Sequence, residues 1–443
     1  MQPDQPLTRR QWLRLSALGI AGSALTGCAP KTPVTSPDPP YGAPDDQFLD
    51  EIERASFSYF WEQASPITGQ ILDRSLLNGK ETRKMASIAA TGFGLGGLCI
   101  ADQRGYGKPA EIVDRVQRTL RFLWKDMPQE HGFFYHFQDV NTGARWDKCE
   151  LSSSDSSLLL CGILTARQHF ADPEIKDLAT KIYERVDWPW MLNGGQSFSM
   201  GWTPESGFLE ARWAHYCELM MIYLLALGSP THPVPASTWE SWTRPVIHYQ
   251  GLDFISGSDP IFTHQYSQAW FDFRHKSDQH ADFFENSVKA TKAHKLFCLS
   301  LHDRFPDYTE TLWGISASDS AHGYTAWGGP PEIGELDGSI VPCAAGGSLP
   351  FAFDDCIKVL REIRGHYGKL GAWGRYGFVD AFNPLTGWYN PDVIGIDVGI
   401  TMLMAENQRS GFVWETFMKN PEAQSAMDKA GFRRTPAAST PGK

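Results

Sequence analysis

Four carboxylates sit where the sequence turns apolar: Glu150 and Asp155 in CELSSSDSSLLLCGIL (149–164), Glu218 in YCELMMIYLLALG (216–228) and Asp397 in GIDVGITMLMAEN (395–407). Asp155 follows Ser152 at the spacing of a capping box, and Asp397 has the type and place of an N-cap, so both also fit plain helix-start signals. Glu150 is not needed for that box. Glu218 is the acid least easily explained by structure. In the first turn of a helix otherwise made of Leu, Met, Ile and Tyr, a buried carboxylate costs several kcal/mol unless it is protonated, paired or facing a wet cavity.

Asp155, Glu218 and Asp397 each stand at the N-terminal end of an apolar helix. If those helices run parallel around the inside of a closed ring, their starts converge on one rim and the acids face a common pocket. Convergent carboxylates are what glycosidic bond hydrolysis requires: a protonated acid for the leaving oxygen, and a carboxylate that activates water or attacks the anomeric carbon. Their separation is about 6.5–9.5 Å for inversion and about 5–5.5 Å for retention. Glu218, in apolar surroundings, is expected to hold its proton and act as the acid. Asp397 or Asp155, at a helix N-terminus, is expected to stay ionised and act as the base.

Candidate substrate-binding residues lie in loops that mix aromatic and hydrogen-bonding groups. They are Trp202 and Glu205 in WTPE (202–205), His264 and Tyr266 in HQY (264–266), Trp313 beside Gly314, Asp319 in SASD (316–319), and Arg375, Tyr376 and Asp380 in GRYGFVDAFN (374–383). The chain has 16 tryptophans, many beside Gly or Pro, and an indole face stacks on the C–H face of a sugar ring. The same residues also fit core packing and turn chemistry.

Helical periodicity predicts the frame that must position these groups. It recurs at 47–64, 86–103, 109–126, 153–170, 173–186, 210–227, 283–301, 354–365 and 398–409, between loops rich in Gly, Pro and Asn. Few alternating strand patterns compete with it. Some of these segments are apolar nearly all round and others carry charge on one face, which predicts inner and outer layers of helices. No repeat or low-complexity linker interrupts residues 47–433, so they read as one domain, with 434–443 as a frayed tail.

The N-terminal TRRQWL (8–13), followed by a short apolar stretch, has the pattern of a twin-arginine export signal, and LTGC (25–28) that of a lipobox with Cys28 as the lipid-bearing residue. Residues 1–27 read as the signal and 28–46 as a Pro-rich tether. The expected location is therefore lipid-anchored, on the periplasmic or outer-membrane face, with membrane contact through the anchor only. Cleavage would remove three arginines and Asp4, taking the net charge from −11 to −13, so nucleic acid is not an expected partner. The other seven cysteines are scattered without CxxC spacing, which predicts buried thiols in place of a disulfide framework. The histidines are dispersed too, and neither a metal nor a cofactor is expected.

Eight stretches taken in order resemble one family: FSYFWEQASPITGQILDRS (57–75), SIAATGFGLGGLCIA (87–101), HGFFYHFQDVNTGAR (131–145), RVDWPWML (185–192), LLALGSPTHPVP (224–235), HQYSQAWFDFR (264–274), WGRYGFVDAFN (373–383) and ENQRSGFVW (406–414). The chain is similar over residues 47–433 to the glycoamylase-like family, allied to glycoside hydrolase family 144 and to a domain of cyclic β-1,2-glucan synthases. The resemblance implies an all-α (α/α)6 toroid with Gly/Pro/Trp-rich loops over one rim, monomeric, acting on β-1,2-glucan by endo cleavage or by exo release of sophorose. It also implies hydrolysis with inversion, without a metal, and with proton transfer that can run through a substrate hydroxyl or water. The family's acid-bearing segments align with Glu150, Asp155, Glu218 and Asp397. Cys217 stands where the family often has Ser. Two other readings stay open: a glucan transglycosylase, and a glucan-binding lipoprotein without turnover.

Overall fold

A helix with no polar face must be surrounded on every side, and that requirement organises the computed structural model, which describes residues 44–435. The export signal, Cys28, most of the tether and residues 436–443 lie outside the described residues. The helices are α1 (Asp45–Glu62), α2 (Ile88–Arg104), α3 (Pro109–Lys125), α4 (Ser153–His169), α5 (Pro173–Glu184), α6 (Trp188–Leu192), α7 (Met220–Gly228), α8 (Phe283–Ser300), α9 (Pro342–Gly346), α10 (Phe353–Glu362), α11 (Gly395–Arg409), α12 (Phe412–Phe417) and α13 (Pro421–Lys429).

In α7 and α9 every residue is buried, and in α2, α4 and α11 nearly all are. These helices close an inner ring. Helix α2 packs on α4, α4 on α7, α9 on α11, and α11 back on α2. The remaining position between α7 and α9 is taken by the 3₁₀ turns Ile261–His264 and Ser267–Ala269. There the Met221 N–H donates to Ser267 Oγ at 3.0 Å, and Gln265 Nε2 donates to the Ala344 carbonyl at 3.0 Å. Outside this ring α1 packs on α2 and α11, α5 on α4, α13 on α7, α8 on the first 3₁₀ turn and α10 on α9. Helices α3, α5 and α10 bury a single stripe each, as amphipathic outer helices do. The result is an α/α toroid, as the resemblance implies.

Most of the predicted helices lie within a few residues of their expected bounds. The stretch 210–227 is the main exception, because helix α7 begins only at Met220. Ahead of it the backbone bonds elsewhere: the Trp213 N–H donates to Phe198 O and the Tyr216 N–H to Thr243 O, each at 2.9 Å. Those groups are then not available for i→i−4 bonds. At the other end of the chain, Asp45 and Asp46, expected in the tether, form the first turn of α1.

Short antiparallel strands, which periodicity did not predict, set where the inner helices start. Met85–Ser87 pairs with Phe137–Asp139 and runs into α2. Leu151–Ser152 pairs with Gly201–Thr203 and runs into α4. Arg74–Leu76 pairs with Asp392–Ile394, which runs into α11. Two or three residues per strand are too few for an alternation to be legible.

Helices α2 and α4 cross at glycines. A Cβ on Gly162 would lie 2.0 Å from Gly92 O, and one on Gly92 would lie 2.4 Å from Leu158 O. Both obstacles are backbone and cannot rotate away. Gly162→Ala is therefore expected to lower stability by about 1–3 kcal/mol or more, as over-packing does. The check is the midpoint of chemical denaturation, and an unchanged midpoint would contradict this account of the crossing.

Candidate active site

The starts of the inner helices open into one cleft of about 310 Å³. Glu150, Asp155, Glu218 and Asp397 all line it, and the N-cap residues Ser87 and Ser152 lie on the same wall. Its other charged residues are Asp73, Arg74, His136, Asp147 and Asp319. The convergence expected of parallel inner helices is therefore present.

Asp155 sits in the first turn of α4, and its N–H donates to Ser152 Oγ at 3.2 Å. Only half of the predicted capping box forms. The Asp155 carboxylate does not reach back to the backbone; its Oδ2 accepts from the hydroxyls of Ser152 and Ser154. Its Oδ1 lies 3.5 Å from Nε2 of His136, whose Nδ1 is 3.0 Å from Glu150 Oε1. Burial pulls the His136 imidazole downward, but the charge of Asp155, the hydrogen bond to Glu150 and more distant charges including Asp73 overcome it and raise the ring to about 9. At neutral pH the ring is an imidazolium.

Glu218 lies two residues ahead of α7, not in its first turn, and is 1% exposed. Its carbonyl accepts from the Ser267 hydroxyl at 2.8 Å, which fixes the turn against the 3₁₀ segment.

Asp397 is not an N-cap. That place belongs to Ile394, whose side chain caps nothing, and Asp397 stands inside the first turn of α11. Nor does it behave as a simple ionised base. Burial pushes its carboxyl up, and the charges of Asp319 and Asp73 add to this, against hydrogen bonds from Asp380 and Cys343 that pull it down. Asp380, 1% exposed, is pushed up further by burial and by the charge of Asp397. Asp380 Oδ2 accepts from the Asp319 N–H at 2.8 Å and from Asn390 Nδ2 at 2.7 Å. Asp380 Oδ1 and Asp397 Oδ2 have no other hydrogen-bond partner. Two carboxyls that hydrogen-bond side chain to side chain need one proton between them. The stronger upward push on Asp380 favours that carboxyl as its holder, shared with Asp397.

Arg74 supplies the compensating charge on this wall. Its Nη1 is 2.6 Å from Asp319 Oδ2 and its Nε 3.0 Å from Asp73 Oδ2, and these carboxylates hold the guanidinium firmly protonated despite burial. Behind it, Arg83 binds both oxygens of Asp392, at 2.6 and 2.7 Å, which ties the strand before α11 in place.

The predicted substrate-binding residues divide. Tyr266 and Asp319 line the cleft, whereas Trp202, Glu205, His264, Trp313, Arg375, Tyr376 and Asp380 do not. His264, Trp313 and Tyr376 are buried side chains of the interior, where a loop-like sequence context gave no sign of packing. Trp202 packs against Trp190. Glu205 forms a two-point ion pair with Arg145, and Arg375 pairs in the same way with Glu62. Asp380 acts on the cleft through Asp397. The aromatic exposed at the cleft is Trp146, 38% exposed, which the Gly/Pro context did not single out. His136 and Arg74 were missed as well, although both lie in family-like stretches. Their signal is largely tertiary, because His136 meets Glu150 and Asp155, and Arg74 meets Asp319, from another segment. All seven described cysteines, Cys99 to Cys356, are buried thiols outside any disulfide, as expected.

Residues 210–421 match the family model described as Glycoamylase. An exo β-1,2-glucooligosaccharide sophorohydrolase of Parabacteroides distasonis is 28% identical over 428 residues, 88% of this chain, which spans only 58% of that relative's length. The structure of an endo-β-1,2-glucanase of Chitinophaga pinensis, bound to sophorotriose and glucose, superposes with a TM-score of 0.81 at 26% identity, covering 88% of this chain and 99% of that one. A β-1,2-glucanase structure from Parabacteroides distasonis gives the same TM-score and identity over 88% of this chain and 60% of its own.

The shared proton makes a stability prediction. A carboxyl pair held above its unfolded value keeps a proton that the unfolded chain has already lost, so its contribution falls as pH rises from about 4 towards the raised folded value. Asp380→Asn replaces the shared proton with a permanent N–H donor. Relative to the unchanged protein, the variant is expected to melt higher at pH 8 than at pH 5. Melting temperatures at the two pH values decide it, and a deficit that grows at pH 8 would remove the shared proton from the account.

Proposed function

We propose that this chain, similar to the glycoamylase-like family, is a glycoside hydrolase that cleaves β-1,2-linked glucan by carboxylate acid–base catalysis. The observation that carries this reading is the convergence of Glu150, Asp155, Glu218 and Asp397 on one cleft at the starts of the inner helices. Names of the similar proteins, β-1,2-glucanases and a sophorohydrolase, support the linkage.

In this mechanism Glu218, which lines the cleft just ahead of α7, donates the proton to the leaving glycosidic oxygen. Asp397 acts as the base. A carboxylate raised towards neutral pH is a stronger proton acceptor than an ordinary one, and Asp380 orients it from behind. Inversion at the anomeric carbon, the outcome implied by the resemblance, follows if water attacks from the Asp397 side, with the proton passing directly or through a hydroxyl of the glucan. Trp146, exposed at the cleft, offers a stacking face to a sugar ring.

The test is incubation of the protein with linear β-1,2-glucan beside β-1,3-, β-1,4- and α-1,4-glucans, following reducing ends and product sizes. Short products from the first alone are expected, and their size ladder separates endo cleavage from sophorose release. Longer or cyclic products would instead indicate transfer. Glu218→Gln is expected to lower kcat by roughly 10²–10⁴-fold, and turnover near the unchanged level would remove Glu218 as the acid.

The export reading forms part of the proposal: a twin-arginine precursor, lipidated at Cys28. Labelled palmitate is expected to enter the protein in a bacterial host and to be lost in Cys28→Ser, and equal labelling of both would overturn it.

A further inference from the structure

His136 is the cleft's second cation, and nothing in the acid–base scheme uses it. Its backbone is pinned on both sides, with the N–H donating to Glu150 O at 2.9 Å and the carbonyl accepting from the Ile88 N–H at 3.3 Å. Its ring lies flat against Phe137, with centroids 3.9 Å apart and planes at 15°. So held, the ring turns one nitrogen to each of two carboxylates: Nδ1 to Glu150 Oε1 at 3.0 Å and Nε2 to Asp155 Oδ1 at 3.5 Å. The Ser152 and Ser154 hydroxyls occupy Asp155 Oδ2, so the two oxygens of Asp155 have separate duties.

We propose that His136 is a positioning residue, a cationic clamp that bridges Glu150 and Asp155 and holds both as fixed acceptors for glucan hydroxyls, so that neither serves as the proton donor. The inference rests on the function proposed above and deepens it. Both ring nitrogens must carry protons for the bridge to hold, because a neutral imidazole has one N–H and one lone pair, and the lone pair would face a carboxylate. Groups facing the ring are Glu150, just ahead of the strand before α4, Asp155 from α4 itself and, farther away, Asp73 from the turn before Arg74–Leu76. All are acids, so each favours the doubly protonated ring. Loss of its proton leaves two carboxylates facing each other across a neutral ring, and one of them must move or take up a proton.

The experiment has two arms. In the first, the full chain carrying ¹³C-labelled histidine is titrated by NMR, and the His136 signal is assigned as the one missing from His136→Gln. Titration of that ring near 9 is expected. Titration near the ordinary value of about 6.5 would overturn the clamp. If the Gln variant does not fold, the unchanged protein still decides, since the clamp requires one histidine to titrate near 9. In the second arm, kcat and KM on β-1,2-glucan are measured across pH. Relative to the unchanged protein, His136→Gln is expected to lose roughly 10²-fold in kcat/KM through misplaced acceptors, and to lack an alkaline limb near 9. A variant within about twofold, with the same alkaline limb, would overturn the proposal. Should the unchanged protein leave every glucan intact, the hydrolase reading fails alone and the first arm still tests the clamp.

Discussion

Crowding of negative charge on one rim is the constraint around which this molecule is arranged. Seven carboxylates line the cleft, Asp73, Asp147, Glu150, Asp155, Glu218, Asp319 and Asp397, and against them stand two cations, Arg74 and His136. Taking so many acids partly out of water is costly unless each is paired, protonated or hydrogen-bonded. The structure does all three. Arg74 takes Asp73 and Asp319, His136 takes Glu150 and Asp155, and Asp380 shares a proton with Asp397. The compensations differ in kind along the cleft, and at the Asp380–Asp397 pair the balance favours a retained proton.

The toroid contributes to that balance directly. Parallel inner helices bring their N-termini to the same rim, and each N-terminus offers unsatisfied N–H groups and a partial positive charge. Asp155 and Asp397 both stand in first turns, where that field favours a negative side chain. The ring has to close for the field to be shared, and closure depends on backbone contact where α2 meets α4 at Gly92 and Gly162. Residues that do not themselves line the cleft thus help set how close the acids of separate helices come.

Much of the frame was legible in the chain. Helical periodicity predicted most of the long helices, and the contrast between all-round apolar runs and segments charged on one face predicted an inner and an outer layer. The acids were legible too, because a carboxylate at the head of an apolar helix stands out in a one-dimensional reading. Less legible were residues whose role depends on a partner from a distant segment. Trp313 and Tyr376 sit beside glycine and read as loop aromatics, yet both are packed inside. Glu205 reads as a cleft residue, yet its partner is Arg145. His136 reads as one polar residue among aromatics, and only the approach of Glu150 and Asp155 gives it a charge to hold.

Periodicity and composition are properties of neighbours in sequence, so the chain by itself determined which segments are helical, which of them must be interior, and which acids stand at their starts. Whether two of those acids share a proton, flank a cation or line the cleft at all depends on distances of a few ångströms between residues tens to hundreds of positions apart. Asp380 and Asp397, His136 and Asp155, and Arg74 and Asp319 are such pairs, and only the closed ring brings them within reach, because Coulomb and hydrogen-bond energies fall off over those ångströms and not along the chain.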